Sequence, residues 1–128
     1  MNPVVHFEMP YQDHERVSKF YSQAFGWQMN KLGENMGDYI LATTAETDDN
    51  NMVKTPGTIN GGFGIKTENF TMPSLVISVE DIQSGMKRAT DAGGKVIGQP
   101  IPIPGIGQYV SFYDTEGNKA SLLQPMTV

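Results

Sequence analysis

The sequence predicts an α+β fold, two tandem βαβββ modules in one chain, and three observations carry that reading. First, His6 to Gly26 aligns without gaps on Ser74 to Gly94 at an offset of 68, with the identities Asp13/Asp81, Lys19/Lys87, Ala24/Ala92 and Gly26/Gly94. Second, both copies pass from alternating apolar residues to apolar residues at helical spacing. Third, Gly37-Asp38-Tyr39-Ile40 and Gly107-Gln108-Tyr109-Val110 echo each other at an offset of 70, each ahead of a β-rich run.

The elements follow in order. Val5, Phe7 and Met9 alternate with Val4, His6 and Glu8, a strand whose even-numbered residues share one face. Val17, Phe20, Tyr21 and Ala24 then mark an amphipathic helix that Asp13 opens and Gly26 closes. In the second copy Leu75, Ile77 and Val79 alternate with Ser74, Val76 and Ser78, and Ile82, Met86 and Ala89 lie on one helical face before Gly93-Gly94. Asp81 opens that helix, its carboxylate facing free N–H groups and the positive end of the dipole. Asp114-Thr115-Glu116-Gly117-Asn118 is a turn between strands at Tyr109–Tyr113 and Lys119–Gln124. The modules thus span roughly residues 3–66 and 73–125 of a single domain, 1–128, joined by Thr67–Met72. Thr44–Thr58 is the one long irregular loop and a candidate lid. The proline-rich run from Pro100 to Gly107 reads as an edge strand and stiff loop. Each module buries one sheet face under its helix, and the two free faces are expected to form the trough of a curved mixed sheet. His6 and Glu8 point into it.

Composition narrows the function. The 128 residues suit one domain, and counting glycine as apolar while leaving tyrosine out gives an apolar share of roughly 45%, enough for a packed core. Nine basic against fourteen acidic residues, with no basic cluster beyond Lys87-Arg88, exclude a nucleic-acid footprint. No apolar run reaches the length of a membrane span and the amino terminus is strand-like rather than a leader, so no membrane partner and a cytoplasmic location are expected. Zero cysteines exclude thiolate sites and disulfides, and with only His6 and His14 any metal must lean on carboxylates, amides or a second subunit. Asn69-Phe70-Thr71 matches a glycosylation sequon but reads as a loop. The run Gly61-Gly62-Phe63-Gly64 lacks the Lys-Ser/Thr and helix of a phosphate loop, so its glycines suit a kinked strand or close approach of a ligand.

Together these residues resemble the vicinal-oxygen-chelate superfamily, which holds glyoxalase I, the bleomycin-resistance proteins and the extradiol dioxygenases. The likeness rests on His6-Phe7-Glu8, the Asp13-His14-Glu15-Arg16 helix start with Phe20-Tyr21 and Phe25-Gly26-Trp27, Ser78-Val79-Glu80-Asp81-Ile82, Gly93-Gly94-Lys95-Val96 and the Asp114–Asn118 turn. The resemblance implies a homodimer and, in metal-binding members, one ligand from the first and fourth strand of each module. His6, fourteen residues before Phe20, takes the first of those positions. Ser74 takes its equivalent one repeat later, and Ser121, four residues after Gly117, takes the fourth-strand position of the second module. The remaining position lies within Asn60–Gly64, where the register is open and no carboxylate or imidazole stands.

Serine hydroxyls are poor ligands for Zn, Ni or Fe(II). His6 is then the only family-type ligand retained; no cofactor is expected, with a divalent metal the alternative. His6, Glu8, Tyr39, Gly62, Ser74, Tyr109 and Ser121 are the candidate ligand-binding residues for a small organic molecule. Glu8 is also the candidate general base, against a plain rim carboxylate. Tyr39 and Tyr109 either line the trough or are simply good strand residues. Trp27 reads as a core or dimer-interface anchor, and His14 as a solvated helix residue. Two functions remain: a metal-independent small-molecule binding or sequestering protein, or a divalent-metal lyase, isomerase or dioxygenase of the glyoxalase type. The ligand count favours the first.

Overall fold

The structure, a computed structural model, describes residues 1–126. Among the described residues, eight strands and two α-helices follow one another as the repeat predicts: β1 (Val4–Tyr11), α1 (His14–Phe25), β2 (Gln28–Lys31), β3 (Ile40–Thr43) and β4 (Asn60–Ile65), then β5 (Ser74–Ser78), α2 (Ile82–Asp91), β6 (Lys95–Ile103), β7 (Gly107–Tyr113) and β8 (Lys119–Pro125). The chain divides into two compact units, one of His6–Pro73 and one of Ser74–Val128 with Met1–Val5. The first five residues therefore cluster with the second repeat: the Ser78 N–H donates to the Pro3 carbonyl at 2.9 Å, and Arg88 reaches the Asn2 amide oxygen at 3.1 Å.

In the first repeat the strand order is β2-β3-β4-β1, with β1 and β4 parallel and the remaining pairs antiparallel. In the second it is β5-β8-β7-β6, again with only the first and last strands of the repeat parallel. Parallel neighbours need a long crossover, and each helix with its two following strands supplies it.

Both helices start as the sequence predicts. The Asp13 carboxylate accepts from the Arg16 N–H at 3.0 Å, and the Asp81 carboxylate from the Ser84 N–H at 2.9 Å. Gly26 adopts φ +72°, the left-handed cap that costs a side-chain-bearing residue energy, while its N–H and that of Trp27 bond back to Ser22 and Tyr21. Two cores result. Tyr11, Ile40, Ala42 and Phe63 are buried in the first repeat, with Phe7, Met9, Val17, Tyr21, Trp27 and Met29 packed on them. Val79, Ile82, Val110 and Leu122 are buried in the second, against Ile77, Met86, Val96 and Phe112. Trp27 belongs to the first core, stacked on Tyr21 at 4.6 Å between ring centres.

Three local expectations are refined. The Gly37/Gly107 echo differs at its start: Gly107 begins β7, whereas Gly37 closes a single 3-10 turn at Glu34–Met36 and β3 starts only at Ile40. The proline run divides into the end of the edge strand β6, up to Ile103 and with a bulge between Ile97 and Ile101, and a turn at residues 104–106 that leads into β7. The loop 44–58 is more ordered than a plain coil. Its base is pinned by Asn60, whose amide oxygen accepts from the Thr44 and Ala45 N–H groups at 2.7 and 3.0 Å, and Thr47 bridges Val53.

Phe63 is 1% exposed at the centre of the first core. Phe63→Ala is expected to cost about 3–5 kcal/mol of unfolding free energy in a denaturant titration. Asp81→Ala, which removes only a helix cap, is expected to cost about 1 kcal/mol in the same measurement.

Candidate functional site

Because β1 sends Phe7, Met9 and Tyr11 into the first core, His6, Glu8 and Pro10 lie on the opposite, open face of its sheet. The parallel register then sets Asn60 opposite His6 and Gly62 opposite Glu8. On the other side of β4, Leu41 stands opposite Gly62. Tyr39, two residues before Leu41, shares its face and lays its phenol across Gly62. A Cβ at Gly62 would run into the phenol oxygen and the adjoining ring carbons, so any side chain at this position requires the tyrosine to leave. On the core face, the Phe7 ring covers Gly61 in the same way. The glycines of β4 are there so that an aromatic ring can close on each side of the strand.

The Tyr39 oxygen sits 3.0 Å from His6 Nε2 and 3.3 Å from Glu8 Oε2, to which it donates. A phenol has one proton; given to Glu8, it leaves the oxygen to accept from the Nε2–H of a neutral His6. Imidazole, phenol and carboxylate thus form one hydrogen-bonded chain. Burial lowers the His6 pKa below its ordinary 6.5 and so favours the neutral imidazole, an effect that the nearby Glu8 charge partly opposes.

The second repeat builds its open face from hydroxyls. Ser74 is buried and donates to the Lys119 carbonyl at 3.0 Å. Ser121, 1% exposed, donates to the Tyr109 oxygen at 2.7 Å and meets Ser111 Oγ at 3.0 Å. With its proton given to Tyr109, Ser121 accepts from Ser111. Ser111 was not among the predicted residues. The available signal was its place opposite Ser121, two residues after Tyr109 on the same strand face.

The registers also resolve the open ligand position. Val76 pairs with Ser121 as Glu8 pairs with Gly62, and Ser111 faces Ser121 as Leu41 faces Gly62. Both partners match at the repeat offsets, since 8 + 68 is 76 and 41 + 70 is 111. Gly62 is therefore the counterpart of Ser121. The structure brings His6, Glu8, Tyr39 and Gly62 together in the first unit, and Tyr109 with Ser121 in the second; Ser74 bonds to the β8 backbone instead of to these side chains. No group of three or more His, Asp or Glu side chains stands close enough to hold a metal among the described residues. His14 is the first residue of α1, whereas the hydrogen-bond chain runs from His6 through Tyr39 to Glu8. No helix among the described residues is long and apolar enough to cross a membrane.

Two concavities of the first unit lie elsewhere. One of about 490 Å³ is lined by Gln28, Thr43, Glu46 and Lys54, among others. The other, of about 380 Å³, lies at the start of α1 between Tyr11, Arg16, Phe20 and Lys66.

Two predictions come from this geometry. Gly62→Ala is expected to destabilise the fold by about 1–3 kcal/mol through overpacking against Tyr39. In a Tyr39→Ala background most of that cost disappears, and a double-mutant cycle read by denaturation returns a coupling of about 1 kcal/mol or more. For His6, the unfolded chain takes up the proton before the folded one does. Stability is therefore complete above pH 6.5, falls as the pH drops through 6.5 toward the lower folded value, and levels off below it. His6→Asn should flatten that slope in melting temperatures measured across the range.

Comparison with known proteins places this arrangement in a family. The family model described as Glyoxalase/Bleomycin resistance protein/Dioxygenase superfamily matches residues 4–122. A glyoxylase-like domain-containing protein of Didymella fabae is 30% identical over 116 residues, covering 87% of this chain and 84% of its own. A lactoylglutathione lyase of Oryza sativa subsp. japonica is 27% identical over 118 residues, 87% of this chain but 40% of that protein. Among solved structures, a methylmalonyl-CoA epimerase of Streptomyces coelicolor in complex with 2-nitronate-propionyl-CoA matches with a TM-score of 0.71 and 14% identity, over 100% of this chain and 97% of that one. The methylmalonyl-CoA epimerase of Mycobacterium tuberculosis matches with a TM-score of 0.65 and 14% identity, over 97% and 88%. At such identities the structural likeness speaks for the fold. The repeat, the strand order and the family match agree, and the chain belongs to the Glyoxalase/Bleomycin resistance protein/Dioxygenase superfamily.

Proposed function

We propose that this protein is a metal-independent small-molecule binding member of its superfamily, in which the open sheet face around His6, Tyr39 and Glu8 holds a small organic ligand. The observation that carries the reading is Tyr39 lying across Gly62 while bonded to both His6 and Glu8. The four positions that the family resemblance marks as metal ligands are here His6, Gly62, Ser74 and Ser121. Gly62 brings no donor atom, and the volume its side chain would need is taken by the phenol. Ser74 and Ser121 spend their hydroxyl protons on Lys119 and Tyr109. The residues present do not fit a family-type divalent centre, because imidazole and carboxylate, the ligands such ions prefer, number two and come from one strand.

A chain of imidazole, phenol and carboxylate offers a ligand what a metal would otherwise supply, a directional polar anchor on an otherwise closed sheet. The Tyr39 ring provides a flat surface beside it on which a planar group can stack. The hydroxyls of Ser74, Tyr109 and Ser121 belong to the corresponding face of the second repeat and, on this reading, contribute to ligand binding there. On this reading the protein acts in the cytoplasm, as a homodimer of the kind that the family resemblance implies. A second reading, an enzyme in which Glu8 takes a proton from the substrate, is favoured by the Tyr39 bond to Glu8, since the phenol orients that carboxylate.

Metal analysis of protein purified without a His-tag tests the first reading. Far less than one equivalent of divalent metal is expected, and stoichiometric metal that disappears in His6→Ala overturns it. A thermal-shift screen of aromatic and antibiotic-like compounds should then find a stabilising ligand whose effect is reduced in Tyr39→Phe. Turnover of that ligand by the native chain but not by Glu8→Gln would establish the enzyme instead.

A further inference from the structure

We propose that the concavity at the start of α1 is a second binding site, selective for a small organic anion with a carboxylate or phosphate head and an apolar body. It has a volume of about 380 Å³, shares no residue with the His6–Tyr39–Glu8 cluster, and is lined in part by Pro10, Asp13, Arg16, Val17, Phe20 and Lys66. Its cations come from separate elements. Arg16 stands in the first turn of α1, and Lys66 directly follows β4, where its backbone N–H donates to the Tyr11 carbonyl at 2.8 Å and holds it beside the end of β1.

Neither cation is spent inside the protein: among the described residues, the Arg16 and Lys66 side chains have no ion pair or hydrogen-bond partner. The one carboxylate in the lining, Asp13, has an oxygen committed to the Arg16 N–H as the helix cap. Charge at the concavity is therefore locally positive in a chain whose net charge is −5. Beside the charges lies apolar surface. Phe20 is 56% exposed, with its ring held edge-on against Tyr21 at 5.0 Å, and Val17 and Pro10 continue the wall. An anion alone would use only the cations, and an apolar molecule alone only Phe20 and its neighbours. A molecule carrying both uses the whole surface: guanidinium and ammonium on the head, by charge-assisted hydrogen bonds, and the phenyl ring on the body.

An NMR titration of the isotope-labelled, full-length protein with benzoate and, separately, phenyl phosphate tests the site and distinguishes the two heads. At least one should bind saturably, with a Kd of about 1–10 mM, and shift the amide signals of Arg16, Phe20 and Lys66. Arg16→Ala and Lys66→Ala should each weaken binding about tenfold, the scale of one charge-assisted hydrogen bond. Phe20→Ser should weaken the aromatic anions but leave acetate and inorganic phosphate unchanged. Lys66→Glu, at an exposed position, carries the charge test should Arg16→Ala fail to fold. Equal binding of benzyl alcohol overturns the role of the cations. Inorganic phosphate binding as tightly as phenyl phosphate overturns the apolar subsite. Absence of saturable binding, or shifts confined to His6, Glu8 and Tyr39, overturns the site itself.

Discussion

Pairing the first strand of each repeat with its last, in parallel, decides which side chains meet on the open face. Once Glu8 stands opposite Gly62, the alternation of β1 sends Phe7 and Met9 to the core and leaves His6 and Glu8 outside. The antiparallel return of β3 then delivers Tyr39 to the same place from the other side of β4. A slip of one residue would turn every one of these side chains to the wrong face. The core guards against it, because Phe63, Ile40 and Ala42 are nearly inaccessible only in this register.

The two repeats solve the same geometric problem with different chemistry. Each brings a tyrosine, Tyr39 or Tyr109, over the fourth strand. In the first repeat the residue beneath is glycine, so the phenol sinks against the backbone and reaches an imidazole and a carboxylate. In the second the residue is serine, and the phenol oxygen instead accepts its proton within a chain of hydroxyls. One face therefore carries ionisable groups, while the other is built from hydroxyls alone. Among those groups it is His6 whose burial lowers its pKa below the ordinary value.

The helices differ as well. α2 seals Ile82 and Gly85 against its sheet, with the absent Gly85 side chain bringing the helix close to Val79 and Leu122. α1 buries no residue fully and keeps Phe20 and Phe25 more than half exposed, although Tyr21 anchors it through Trp27 and Phe63. The less tightly covered helix is the one whose first turn borders a concavity, so the surface left open beside α1 is both charged and aromatic.

Fold and element order were legible in the chain because they rest on local signals: strand alternation, helical spacing, Asp13 and Asp81 as caps, and a repeat that doubles each piece of evidence. The face occupied by His6 and Glu8 was legible for the same reason, since two residues on one strand share a side whatever surrounds them. Tertiary structure alone decided what those residues touch. The bond from His6 through Tyr39 to Glu8 spans more than thirty positions of sequence and depends on a register that no local pattern within Asn60–Gly64 specifies. Gly62 read as a kink or a place for ligand approach; three dimensions show a glycine required by a phenol. Ser111 stayed unnoticed because a lone serine in a strand carries no signal until its partner Ser121 is placed beside it. Local physics named the elements, and long-range pairing chose the chemistry.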